Sequence, residues 1–142
     1  MSSLLQRTNK YQMKTDQQLN FLRDRIKSFF NATQGLRDIL LTEHNAWVHA
    51  AVTVAVLALA WWLKLKPVEF VLILIFICLV WIAEAFNTVL ELVIDIVAPE
   101  YSQAARRAKD MAAAAVLFAS AGAFVAGLII LVPPLIIRLG LI

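Results

Sequence analysis

Hydrophobic and polar positions divide this chain into a polar start, one amphipathic stretch and three long apolar runs. Residues 1–16 are polar and show no period, which predicts a flexible tail. From there the pattern turns helical. Leu19, Leu22, Ile26, Phe29, Thr33, Leu36 and Leu40 recur at alternating steps of three and four, with Arg23, Arg25, Lys27 and Arg37 outside the stripe. This spacing predicts an amphipathic helix over residues 17–42, lying on a membrane surface or against another subunit. Gly35 within it is either a weak point or a place of close backbone approach.

Residues 46–63 carry no formal charge and one histidine, His49. That length just crosses a hydrocarbon core of about 30 Å. Trp61 and Trp62 close the run, suiting a membrane interface where amphipathic rings collect. Lys64, Leu65, Lys66 and Pro67 then form a tight turn, with Pro67 opening the next helix. Residues 68–98 read as a single helix about 46 Å long. Such a helix overshoots the membrane core, so its second half emerges into the interface. Pro99 ends it, and Glu100, Tyr101 and Ser102 form a turn. The third span covers residues 103–132, with Arg106, Arg107, Lys109 and Asp110 at the interface and Pro133-Pro134 as its stop. It is rich in small residues, Ala112 to Ala115 and then Ala119 to Ala123, with Ala126 and Gly127 after. Small side chains let helices approach closely in lipid, which predicts a homo-oligomer.

The second span carries an unusual polar set. Taking Glu84 as zero at about 100° per residue, Asn87 falls near −60°, Glu91 near −20° and Asp95 near +20°. All four lie within an arc of roughly 80° on one helical face. Ionisable groups in or at a bilayer are costly and by default mark function. A water-facing helix end that merely solvates its charges is the plainer alternative.

Of the 142 residues, 61% are hydrophobic, well above the share in a soluble domain. The fold class is therefore an all-α membrane protein: one surface helix and three transmembrane helices in a single domain over residues 17–142. Net charge is +3, and its distribution says more than its size. Arg7, Lys10, Lys14, Arg23, Arg25, Lys27 and Arg37 precede the first span, and Arg106, Arg107 and Lys109 lie between the second and third; only Lys64, Lys66 and Arg138 fall on the other side. This asymmetry predicts a cytoplasmic N-terminus and an external C-terminus. Nucleic acid is not an expected partner, because the basic residues are interleaved with acids and flank membrane segments. No apolar core of a signal peptide occurs in the first thirty residues. Cys78, the only cysteine, is expected to be a buried inert thiol.

This topology gathers Glu43, the Glu84/Asn87/Glu91/Asp95 face, Lys109 and Asp110 at the cytoplasmic boundary. Carboxylates with room for water suit Mg²⁺, a lysine can hold phosphate as a point charge, and a further carboxylate can take a proton from a hydroxyl. These are the parts of phosphoryl transfer. The phosphate-binding loop GxxxxGK[ST] and the protein-kinase motifs are absent from the sequence. On chemistry alone, a membrane phosphotransferase and a proton- or cation-coupled carrier rank level, since both use membrane carboxylates.

Resemblance separates them. Glu84-Ala-Phe-Asn87-Thr88-Val-Leu-Glu91-Leu-Val-Ile-Asp95 resembles the E-x-x-N-[ST]-x-x-E-x-x-x-D signature of the prokaryotic diacylglycerol kinases, a family that includes the undecaprenol kinases. Ala108-Lys109-Asp110-Met111-Ala-Ala-Ala-Ala-Val116 resembles its second block, with Pro99-Glu100-Tyr101 before it. Gly35-Leu36 and Thr42-Glu43-x-Asn45-x-x-x-His49 resemble a third. The resemblance covers residues 28 to 132. It implies a homotrimer with active sites shared between neighbours, using ATP and Mg²⁺ to phosphorylate a membrane lipid alcohol. By the same resemblance Glu84 is the general base, Glu43 and Glu91 are Mg²⁺ ligands, and Lys109, Asp110 and Glu100 meet the nucleotide. Asn87 and Asp95 take positioning places around them. Asn31 stands where one branch has a tyrosine near the adenine, so that contact is not carried over. The Glu43-x-Asn45-x-x-x-His49 block leans toward undecaprenol, since the diacylglycerol branch tends to have a second acid at the place of His49. For His49 itself a polar contact between helices is the expected role.

Overall fold

Helix α1 spans Ser2–Thr42, α2 His44–Leu63, α3 Pro67–Val97 and α4 Gln103–Arg138 in the computed structural model, which describes the backbone of residues 2–141 and the side chains of residues 20–141. The chain divides into two compact units, one ending at Leu41 and the other beginning at Thr42.

The first unit is helical from Ser2, through the stretch read as a flexible tail. That stretch holds neither proline nor glycine, and its Leu, Gln, Lys, Arg and Met are good helix formers. Short polar side chains further along are satisfied within the helix: Ser28 donates to the Asp24 carbonyl at 2.8 Å and Thr33 to the Phe30 carbonyl at 2.7 Å. They therefore do not break it. Phe21, Leu22, Ile26, Phe29 and Leu36 are all exposed, so the stripe read from the sequence is uncovered. Gly35 faces open space and makes no close backbone approach.

In the second unit, α3 packs chiefly along α4, and α2 touches both. All three are long and apolar enough to cross a membrane. The turn after α2 closes on Lys64, whose backbone is left-handed (φ 54°) and whose N–H reaches the carbonyls of Ala60 and Trp61. Pro67 then takes the first position of α3, where a missing N–H costs nothing, and the Glu69 carboxylate accepts the Lys66 N–H at 2.9 Å. At the other end Ala98 caps α3 ahead of Pro99. Ser102 opens α4, its hydroxyl accepting the Ala105 N–H at 3.2 Å.

Pro133-Pro134 do not stop α4, which continues to Arg138. Proline removes one backbone bond but still adopts helical φ, and membrane helices tolerate it where neighbours re-satisfy the freed groups. The bundle interior is small. Ala60, Leu63, Ile73 and Leu131 form its buried cluster, with Val56, Leu59, Leu65, Phe70 and Leu135 packed around. Most large apolar side chains, among them Val68, Ile82, Phe118, Phe124 and Ile129, are exposed. So much contiguous apolar surface needs lipid or a partner to cover it. Cys78 is exposed rather than buried, because it lies on a side of α3 that no other described residue of the second unit covers. Gly122 and Gly127 also face open space, with nothing packed closely on either among the described residues.

Candidate active site

The polar face of α3 grades from dry to wet. Glu84 is 1% exposed and Asn87 6%, Glu91 is half-buried, and Asp95 is exposed. Asn87 Nδ2 donates to Glu91 Oε1 at 3.0 Å, one helical turn away, so the amide fixes the carboxylate while its own Oδ1 stays unbonded. Thr88 turns its hydroxyl back to the Glu84 carbonyl at 3.0 Å. This leaves Glu84 as a buried carboxylate with neither oxygen hydrogen-bonded. Such a group is costly to keep, and its two open acceptors suit an incoming hydroxyl.

His49 of α2 is the side chain that meets it, with Nε2 3.5 Å from Glu84 Oε2, beyond the usual length of a hydrogen bond. Its ring stands edge-on to Trp81 at 6.3 Å, and Trp81 Nε1 donates to Thr53 Oγ1 at 3.1 Å. The histidine thus occupies the α2–α3 contact expected of it. That its partner is Glu84 was not legible, since it depends on the register between two helices.

Glu43 lies in the break between α1 and α2. Its carboxyl is pushed above the ordinary range, first by desolvation and then by the negative charges of Glu91 and Glu84. Glu43 therefore lies within reach of the two α3 carboxylates. Like charges held this way suit a divalent cation that would neutralise them. Among the described residues no group of three His, Cys, Asp or Glu is arranged to hold a metal unaided. Mg²⁺ does not require one, since it commonly takes one or two carboxylates and completes its shell with water and substrate phosphate. Glu43 and Glu91 fit that pattern.

One turn beyond Glu91, Asp95 pairs with Lys109 Nζ of α4. Asp95, Glu100, Tyr101, Ser102, Lys109 and Asp110 line an open cleft of about 290 Å³ where α3 passes into α4. Asp110 itself faces Arg106, 3.7 Å away along the helix. The expected site residues thus fall into two adjoining groups. Glu43, Glu84, Asn87 and Glu91 gather at the drier level, and Asp95, Glu100, Lys109 and Asp110 surround the wetter cleft.

The family profile of prokaryotic diacylglycerol kinase matches residues 30–131. The chain belongs to that family. The family is one of small membrane lipid kinases, and the match takes in every residue of both groups. A diacylglycerol kinase of Synechocystis sp. is 38% identical over 112 residues, 78% of this chain and 64% of that relative's length. An undecaprenol kinase of Bacillus subtilis is 33% identical over 110 residues, covering 78% of this chain and 89% of the relative. A diacylglycerol kinase of Escherichia coli K12 is 33% identical over 94 residues, 66% of this chain and 77% of the relative. The chain thus spans somewhat less than two thirds of the Synechocystis kinase, and relatives of both names are found at similar identity.

Proposed function

We propose that this chain transfers the γ-phosphate of ATP to the hydroxyl of a membrane lipid alcohol, giving undecaprenyl phosphate or phosphatidic acid. The observation that carries the proposal is the Glu84 carboxylate, buried and without a hydrogen bond, beside the Glu43/Glu91 pair and a cleft that holds Lys109. Glu84 takes the proton of the lipid hydroxyl as its oxygen attacks the γ-phosphorus, and ADP leaves. Lys109 and Asp110 orient the nucleotide from the cleft, together with Glu100. Asn87 holds Glu91 in place, and Asp95 holds Lys109. Glu43 and Glu91 would hold Mg²⁺, which when bound offsets charge on the transferring phosphate.

The lipid enters from the bilayer and the nucleotide from water, which matches the gradient of exposure along α3. Of the two acceptors, undecaprenol is favoured by the block from Glu43 to His49. The excess of basic residues on one side supports a cytoplasmic membrane location with the N-terminus and the site inside. The uncovered faces of α3 and α4 support a homotrimer.

Purified protein given labelled ATP with diacylglycerol or undecaprenol tests the proposal. Glu84→Gln should lower turnover by at least about 10²-fold, the scale of general-base loss, while nucleotide binding persists. Near-normal turnover in that variant would remove Glu84 as the base, and no labelled lipid from any acceptor would remove the kinase reading itself.

A further inference from the structure

A second concave site lies at the other end of the bundle, where α2 turns into α3 and α4 ends. Trp61, Trp62, Lys64, Leu65, Phe70 and Arg138 line a cavity of about 370 Å³ there. Phe70 precedes Glu91 by 21 residues on α3, or about 32 Å at the helical rise. The cavity and the acidic site are therefore about one hydrocarbon thickness apart.

Its chemistry is amphiphilic. The Arg138 guanidinium lies over the Trp62 ring, 5.4 Å from the centroid, which orients its flat donor array instead of leaving it free in solvent. Lys64 projects from the one left-handed non-glycine residue among those described, a position set by closure of the α2 turn. Neither cation forms an ion pair among the described residues. Glu69, the only acid in the turn and the start of α3, spends a carboxylate oxygen on the Lys66 N–H. The remaining lining is aromatic and aliphatic, and Ala60, Leu65 and Phe70 continue into the buried cluster of the bundle.

We propose that this cavity binds the headgroup of an anionic phospholipid from the leaflet opposite the acidic site. Arg138 and Lys64 take the phosphate, and the Trp61, Trp62 and Phe70 rings cover the glycerol and upper acyl region. A free inorganic anion would use the two cations but leave the aromatic walls without a role. A zwitterionic lipid would bring its own cation against Lys64 and Arg138. The charge and the apolar lining together therefore select an anionic amphiphile.

Native mass spectrometry of the full-length protein, released from micelles containing phosphatidylglycerol or phosphatidylcholine, tests this. Phosphatidylglycerol should be retained on the order of tenfold better, the scale expected of two interfacial cations. A Lys64→Gln/Arg138→Gln variant should lose that preference, and Arg138→Lys should keep part of it. Bromine-labelled phosphatidylglycerol should quench tryptophan fluorescence more than its phosphatidylcholine counterpart, and Trp61→Phe/Trp62→Phe should remove the difference. Circular dichroism of each variant separates loss of binding from loss of fold. Equal retention of the two lipids, an unchanged preference in the double glutamine variant, or displacement of the lipid by millimolar inorganic phosphate would each overturn the proposal.

Discussion

At the residue scale, the site is a set of charges held in tension. Glu43 shows it most directly, because desolvation and the fields of Glu91 and Glu84 raise its carboxyl above the ordinary 4.5. A carboxyl raised by folding costs the folded state stability when ionised, and the cost fades as pH falls through the raised value toward 4.5. Without divalent cations, Glu43→Gln should therefore unfold at a higher temperature than wild type at neutral pH, with the gap closing under acid. Mg²⁺ should raise the wild-type midpoint and leave the variant nearly unmoved. Thermal scans across pH, with and without the metal, check both parts; a variant less stable at neutral pH would contradict the electrostatic origin. The four-residue polar arc was fully legible, since helical period alone aligns Glu84, Asn87, Glu91 and Asp95. The gradient of burial along it was not, because it depends on how far α2 and α4 reach over α3.

At the element scale, helix ends follow local chemistry and helix faces do not. Pro67 and Pro99 mark the bounds of α3 as the sequence suggests, and Ser102 begins α4 with a side-chain cap. Removing that cap with Ser102→Ala should cost about 1 kcal/mol, read as a lower midpoint. It should also raise KM for ATP more than KM for the lipid, because Ser102 lines the same cleft as Lys109 and Asp110. Equal shifts in both KM values would separate the cap from nucleotide positioning. Pro133-Pro134 misled the sequence reading because a missing N–H does not forbid helical φ, and α4 runs through them to Arg138. Cys78 misled it for another reason: apolar neighbours mark the inside of a soluble helix, but in a membrane helix they point equally to lipid.

At the scale of the whole molecule, so few of the described side chains are buried that lipid or a neighbouring chain must cover the rest. Glu84 and Asn87 are the only buried polar or charged residues among those described, and the cleft at Lys109 stands open. If neighbouring subunits complete each site, two inactive proteins can repair one another. Mixed assemblies of Glu84→Gln and Lys109→Met chains should regain turnover that neither variant has alone. A mixture as inactive as its components would place each site within one chain.

The sequence by itself determined the three spans, the polar arc and the residue types for phosphoryl transfer, because length, hydropathy and helical period are local properties. It also identified the family, through motifs at fixed spacing. Only tertiary structure decided that Glu84 lies dry against His49, that Asp95 pairs with Lys109, and that Trp62 and Arg138 frame a second cavity. Those pairings join residues 14 to 76 positions apart in the chain. They follow from the register in which helices pack, and no local pattern encodes that register.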